Sequence, residues 1–242
     1  MKERDWSVWI FGAVVAVVLA AFAWMLIAPG SDHAGPSRST DRVALAGRQA
    51  SGTPSTSPQP GEASDQLQRC SQAAVALKHT LHHAAGSVAQ WEVHVGAMNK
   101  LVTGVISLRQ ATAFWNQTRV GAHHRVADFE HARAALLRQG VDCPAPSLLP
   151  TRSGGHLRAC ARQVAADLRV LNAARTAIGT WRRHVHAMEM LRMGKMSPAT
   201  ATQMWLQMWH RGQHEIDLYR TAARTAHQVS GCTAAPAAGS AP

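Results

Sequence analysis

Four side chains in this 242-residue sequence form a donor set, and they come as two copies of one pair. His94 and Met98 lie four residues apart, and His184 and Met188 repeat them ninety residues later. A spacing of four puts both members of a pair on one face of a helix. Two imidazoles and two thioethers suit Cu(I), a soft ion that accepts thioether ligands. Six of the nine methionines fall between Met188 and Met208, with His210 just beyond. The competing reading is packing. Met fills irregular gaps in apolar cores, and His94 and His184 then hydrogen-bond across their hairpins, with Gln117 and Gln207 at about the right level. Trp, His and Gln together would make a polar layer that fixes helix register.

Other chemistry has less to stand on. Haem between His and Met ligands is known in helical bundles, but there is no Cys-x-x-Cys-His attachment motif. His79, His82, His83 and His131 form a second histidine group, and His79 with His83 has the spacing to chelate Zn(II) or Cu(II). A di-iron carboxylate centre needs Glu-x-x-His pairs, and the sequence has none. No Ser-His-Asp order stands out, and acids are too sparse for paired carboxylates. The expected protein is not an enzyme and needs no resident cofactor, with Cu(I) as the leading candidate metal.

The elements that must position these residues follow from an internal repeat. With a shift of ninety, Cys70 falls on Cys160, Trp91 on Trp181, Gly104 on Gly194, Trp115 on Trp205, and His124 on His214. Each copy reads as a helical hairpin. Leu77, Leu81, Ala84, Val88, Trp91, Val95, Met98, Val102 and Val105 alternate spacings of four and three, an a/d seam. The second copy keeps it in Leu171, Ala174, Ile178, Trp181, Val185 and Met188. Gly104 and Gly194 stand where a left-handed helix stop belongs. Ser107 with Gln110 makes a capping box, and Ser197-Pro198 places proline at the first helical position. Unbroken returning helices are expected through Leu108, Ala111, Trp115, Ala122, Phe129 and Leu136, and through Ala201, Trp205, Met208, Tyr219 and Ala226. Each helix should run about 33 residues, or about 50 Å.

An antiparallel hairpin brings the start of its first helix beside the end of its second. Cys70 should therefore pair with Cys143, and Cys160 with Cys232, each bond closing a hairpin at its base. Loops of this length are worth about 4 kcal/mol each in the chain-entropy model, and such bonds persist in oxidising compartments. The fold class expected is all-α: duplicated hairpins forming a disulfide-closed antiparallel four-helix bundle, plus one N-terminal transmembrane helix.

That helix is residues 6–28, an uncharged run from Trp6 to Ala28, long enough to span a bilayer. Trp6, Trp9 and Trp24 sit at its ends as interfacial aromatics do. Residues 1–5 make a short cytoplasmic end, 29–64 a Ser/Pro/Gly-rich tether and 233–242 a tail. Hairpin one covers 65–143, a connector 144–159 and hairpin two 160–232. The reading is a single-pass protein of a bacterial cell membrane, with residues 29–242 outside.

Gln90-Trp91-Glu92-Val93-His94-Val95-Gly96-Ala97-Met98-Asn99-Lys100, followed by Phe114-Trp115-Asn116-Gln117-Thr118-Arg119, resembles exported, membrane-anchored helical proteins of actinobacteria. No activity comes with the resemblance, so it implies no site residue. The second copy departs from it at Arg182, Arg183 and His186.

Of the 25 Lys and Arg, 20 lie beyond residue 64, against 9 of the 14 acids, so the whole net charge of +11 belongs to the helical part. A basic surface outside the membrane suits lipid headgroups, an anionic cell-envelope polymer or an acidic protein. No nucleic-acid-binding motif is visible. The function expected is a non-catalytic, membrane-anchored scaffold or partner-binding module, with Trp115 and Trp205 as candidate partner-binding residues. The alternative is an extracytoplasmic Cu(I)-handling protein using His94, Met98, His184 and Met188.

Overall fold

The computed structural model describes residues 60–149, 153–229 and 231–232, and every regular element among them is helical. The expected anchor, the cytoplasmic end, the tail and most of the tether lie outside the described residues. No described helix is long and apolar enough to cross a membrane.

The first helix, α1 (Pro60–Val102), has 43 residues, about 65 Å of rise. It starts inside the expected tether. Pro60 sits at the helix start, where an N–H would have no partner, and Glu62 in the first turn favours the positive end of the helix dipole. The return leg is two pieces, α2 (Leu108–Arg119) and α3 (Ala122–Gln139). A 3-10 turn (Pro146–Leu148) leads to α4 (Gly155–Arg192), which claims the last residues of the expected connector, and α5 (Pro198–His227) completes the second hairpin.

Both hairpin tips are built alike. Gly104 and Gly194 adopt φ of 72° and 70°. The Gly104 amide donates to Leu101 and the Val105 amide to Lys100, and the same two bonds recur from Gly194 to Leu191 and from Lys195 to Met190. These are paired Schellman stops. The Ser107 hydroxyl then accepts from the Gln110 amide while the Gln110 side chain accepts from the Ser107 amide. Ser197 caps Thr200 ahead of Pro198 in the second copy. Val105, the last residue of the expected seam, lies beyond the helix and is 70% exposed.

The return leg of the first hairpin is not the unbroken helix that the repeat implies. Val120 turns to extended backbone and Gly121 takes a φ of 71°, a conformation that suits glycine. The Gln90 side chain donates to the Val120 carbonyl at 3.0 Å, satisfying a group that the break exposes. His210 and Arg211 stand at these positions in α5, and the helix runs through.

The most extensive packing is of α1 against α4 and of α4 against α5, with α2 and α3 lying on α1. Leu77, Ala84, Val88, Trp91 and Val95 of α1 share one buried cluster with Ala174, Ile178, Trp181 and Val185 of α4. At the base, disulfides Cys70–Cys143 and Cys160–Cys232 span Cα separations of 4.6 and 4.2 Å. All four cysteines pack in or against one cluster with Leu149, Leu157 and Ala161.

Polar contacts between the hairpins occur in related pairs. Arg220 donates to Glu92, and at the positions ninety residues away Arg182 meets Glu130 at 3.7 Å. Asn99 accepts from Gln213, and the related pair is Glu189 with His123 at 3.0 Å. The hairpins are thus related by a pseudo-twofold, with the charges of the first pair exchanged. Replacing Glu92 by Arg sets like charges opposite each other, and adding Arg220→Glu restores the pair. A double-mutant cycle in urea should give a coupling of about 0.2–1 kcal/mol, as for half-exposed ion pairs.

Gly212 of α5 lies flat against the Trp91 indole. A Cβ there would sit 2.5 Å from Trp91 Cζ2. The related position is Ala122, the first residue after the break. Gly→Ala within a helix normally stabilises by up to about 1 kcal/mol. Gly212→Ala should instead destabilise by about 1–3 kcal/mol through overpacking. Gly96→Ala, where a Cβ meets nothing within 4 Å, should follow the ordinary rule. Urea midpoints of the two variants test the difference.

Candidate functional site

The seam spacing that aligns α1 with α4 brings the repeated aromatic residues to one level. Trp91 and Trp181 stack with ring centroids 4.9 Å apart, 1% and 0% exposed. One turn further toward the tip, His94 and His184 meet edge to face, and their Nε2 atoms are 2.9 Å apart. Both imidazoles are 6% exposed. Trp115 lies 6.0 Å from His94 and Trp205 5.7 Å from His184, centroid to centroid, closing the layer from the return legs. Trp115 and Trp205 are half-buried in this layer.

Gln117 and Gln207 do not serve the imidazoles. Both are exposed. One residue along the helix is about 100° of rotation, so Thr118 takes the inward place. The Thr118 hydroxyl is 2.8 Å from His94 Nδ1. The same hydroxyl donates back to the carbonyls of Phe114 and Trp115, at 2.9 and 3.1 Å. A threonine in a helix commonly spends its proton this way.

These contacts assign the tautomers. With its proton on the carbonyls, Thr118 accepts from His94 Nδ1–H. Neutral His94 then has a bare Nε2, which accepts from His184 Nε2–H, and His184 is left with a bare Nδ1. Among the described residues, that nitrogen is buried and has no hydrogen-bond partner. The reverse relay would bury an unpaired N–H instead, and orphaned donors are rarer than under-satisfied acceptors.

Burial, with the neighbouring His184 adding to it, holds His94 well below the ordinary imidazole range. Burial alone lowers His184 to about 3. A proton on either ring would bring charge into a dry layer and set two N–H groups head to head. The unfolded chain protonates His184 near 6.5, so more protons bind to the unfolded state throughout the window from about 6.5 to 3. Stability should fall as pH falls through that window, by about 1.4 kcal/mol per pH unit for each buried histidine. Urea denaturation from pH 7 to pH 4 should show this slope, and His94→Asn/His184→Asn should flatten it.

Of the four expected metal ligands, the structure brings the two imidazoles together. Met98 and Met188 are half-buried and pack on the same cluster. Among the described residues, no three of His, Cys, Asp and Glu are placed to share a metal ion. In the second histidine group, His79 and His83 have ring centroids 4.9 Å apart and His82 and His83 5.7 Å, while His79, His82 and His131 are exposed.

The repeat also conceals an exception. Asp167 occupies the place of Leu77 and is 5% exposed, with Gln163 donating to Oδ1 at 2.9 Å. Burial raises its carboxyl, against weaker opposing effects of Gln163, Lys78 and His227.

No protein-family model, no curated protein and no solved structure matches this chain.

Proposed function

We propose that this chain is a membrane-anchored, extracytoplasmic scaffold or partner-binding module without catalytic activity. Its described helices form the antiparallel four-helix bundle, and residues 6–28 form the single anchoring helix with the N-terminus in the cytoplasm. One observation carries the reading: named polar side chains of each hairpin are engaged with the other hairpin, holding the two together. His94 bonds His184, Asn99 accepts from Trp209 and Gln213, and Glu92 and Glu130 meet arginines of the opposite hairpin. An interior used this way leaves the outer surface for recognition.

That surface is basic. Arg162, Arg169 and Arg175 are all exposed along α4, and they favour an acidic partner such as an anionic envelope polymer, a lipid headgroup layer or an acidic protein. A membrane-impermeant crosslinker applied to intact cells, followed by pull-down of the full chain, tests the reading. Capture of a partner that fails in Arg162→Glu/Arg169→Glu/Arg175→Glu, with the urea midpoint unchanged, is the expected result. Lack of labelling in intact cells would count against the extracytoplasmic location, and capture that is indifferent to these arginines would count against the basic face.

A further inference from the structure

The twofold that relates the hairpins keeps both histidines and all four tryptophans of the layer, but it changes the residue at the position of Thr118. In the first hairpin the Thr118 oxygen takes the His94 Nδ1 proton. Ninety residues on, the position belongs to Met208, which is 7% exposed. Threonine offers an oxygen acceptor, whereas methionine offers a soft sulfur that has no proton to give and makes at best a weak acceptor. The hydrogen-bond relay therefore begins on an oxygen and ends in an unused nitrogen lone pair, and by the twofold Met208 takes the place that Thr118 holds at the other end.

We propose that His184 Nδ1 and the Met208 sulfur form a binding site for one soft monovalent cation, Cu(I) or Ag(I). The site is independent of the scaffold reading. It also differs from a site centred between His94, Met98, His184 and Met188, because the bond between the two Nε2 atoms stays in place. One imidazole nitrogen with one thioether is a two-coordinate set that soft d10 cations accept, while Mg(II), Ca(II) and Mn(II) favour oxygen ligands. The hydrogen bonds that assign the tautomers leave Nδ1 bare and without a partner among the described residues, so no proton has to leave. The Trp205 ring, 5.7 Å from the His184 imidazole, supplies an aromatic face to a single positive charge.

The remaining methionines of the second hairpin grade from surface to interior. Met193 is 49% exposed, and Met188, Met190, Met196 and Met204 are half-buried, ahead of buried Met208. These thioethers offer weak successive ligands between solvent at the tip and the site. Repeat one carries Lys100, Thr103, Ile106 and Phe114 at the positions of Met190, Met193, Met196 and Met204, so the gradient belongs to the hairpin that has the lone pair.

The relay limits the stoichiometry. Two neutral imidazoles joined through Nε2 leave only one bare Nδ1, so each chain binds one ion. Exchanging the flanking residues should reverse the relay and move the site to His94. The test is an anaerobic titration of the full, disulfide-bonded chain with Ag(I) and with Cu(I) against a chromogenic competitor, with imidazole 15N shifts recorded alongside. One equivalent should bind, shifting His184 Nδ1. Met208→Thr should weaken binding by about 10- to 100-fold with helicity and urea midpoint retained. Thr118→Met/Met208→Thr should recover one equivalent, with the shift now at His94 Nδ1. Unchanged binding in Met208→Thr, a wild-type shift at both Nε2 atoms, or no uptake would each overturn the proposal. If Met208→Thr alone fails to fold, the exchanged double variant decides.

Discussion

A hydrogen bond between two copies of the same residue cannot be symmetric, and the centre of this protein is such a bond. His94 and His184 are related by the duplication and face each other through the same atom at 2.9 Å. One must donate and the other accept. Burial removes the alternative of protonating both, because charge in the layer beside the Trp91–Trp181 stack would be poorly solvated. The asymmetry must then be set from outside the pair. Thr118 sets it on one side, and Met208 leaves the other side free.

The same departure from symmetry appears in the contacts around the layer. If two copies of hairpin one paired as one and two do here, Glu92 would face Glu130. Two copies of hairpin two would set Arg182 against Arg220. Exchanging the charges favours one of each kind, as charge patterns do when they select unlike helix partners. Each contact is a modest surface ion pair, but the wrong pairings replace attraction by repulsion at two places at once. The disulfides act differently: each closes its own hairpin and leaves the choice of partner hairpin to these side chains.

Much of this architecture was legible because duplication records it twice. The tips at Gly104 and Gly194, the caps at Ser107 and Ser197 and the base disulfides follow from local signals with definite geometry. The meeting of His94 and His184 followed from the repeat combined with the seam. The repeat misled where one copy had departed from the other. Gly121 interrupts a leg that His210 and Arg211 carry through, and Asp167 is buried at the position that the seam residue Leu77 holds in the first copy. Gly212 carries no signal in the sequence of its close approach to Trp91. Choosing Gln117 over Thr118 was an error of one residue, enough to turn a side chain from core to solvent. The N-terminal quarter, with the expected anchor and its 23 uncharged residues, rests on the sequence.

The most direct test of the relay is a long-range 1H–15N correlation spectrum of the histidine side chains at neutral pH and again near pH 5. The account requires two neutral rings with opposite tautomers: His94 carrying its proton on Nδ1, and His184 carrying its proton on Nε2 with Nδ1 bare. Neither should titrate between these two pH values, since His184 protonates only at about 3 and His94 is held well below its ordinary value. The reverse pair of tautomers, or an imidazolium signal from either ring at pH 5, would contradict it.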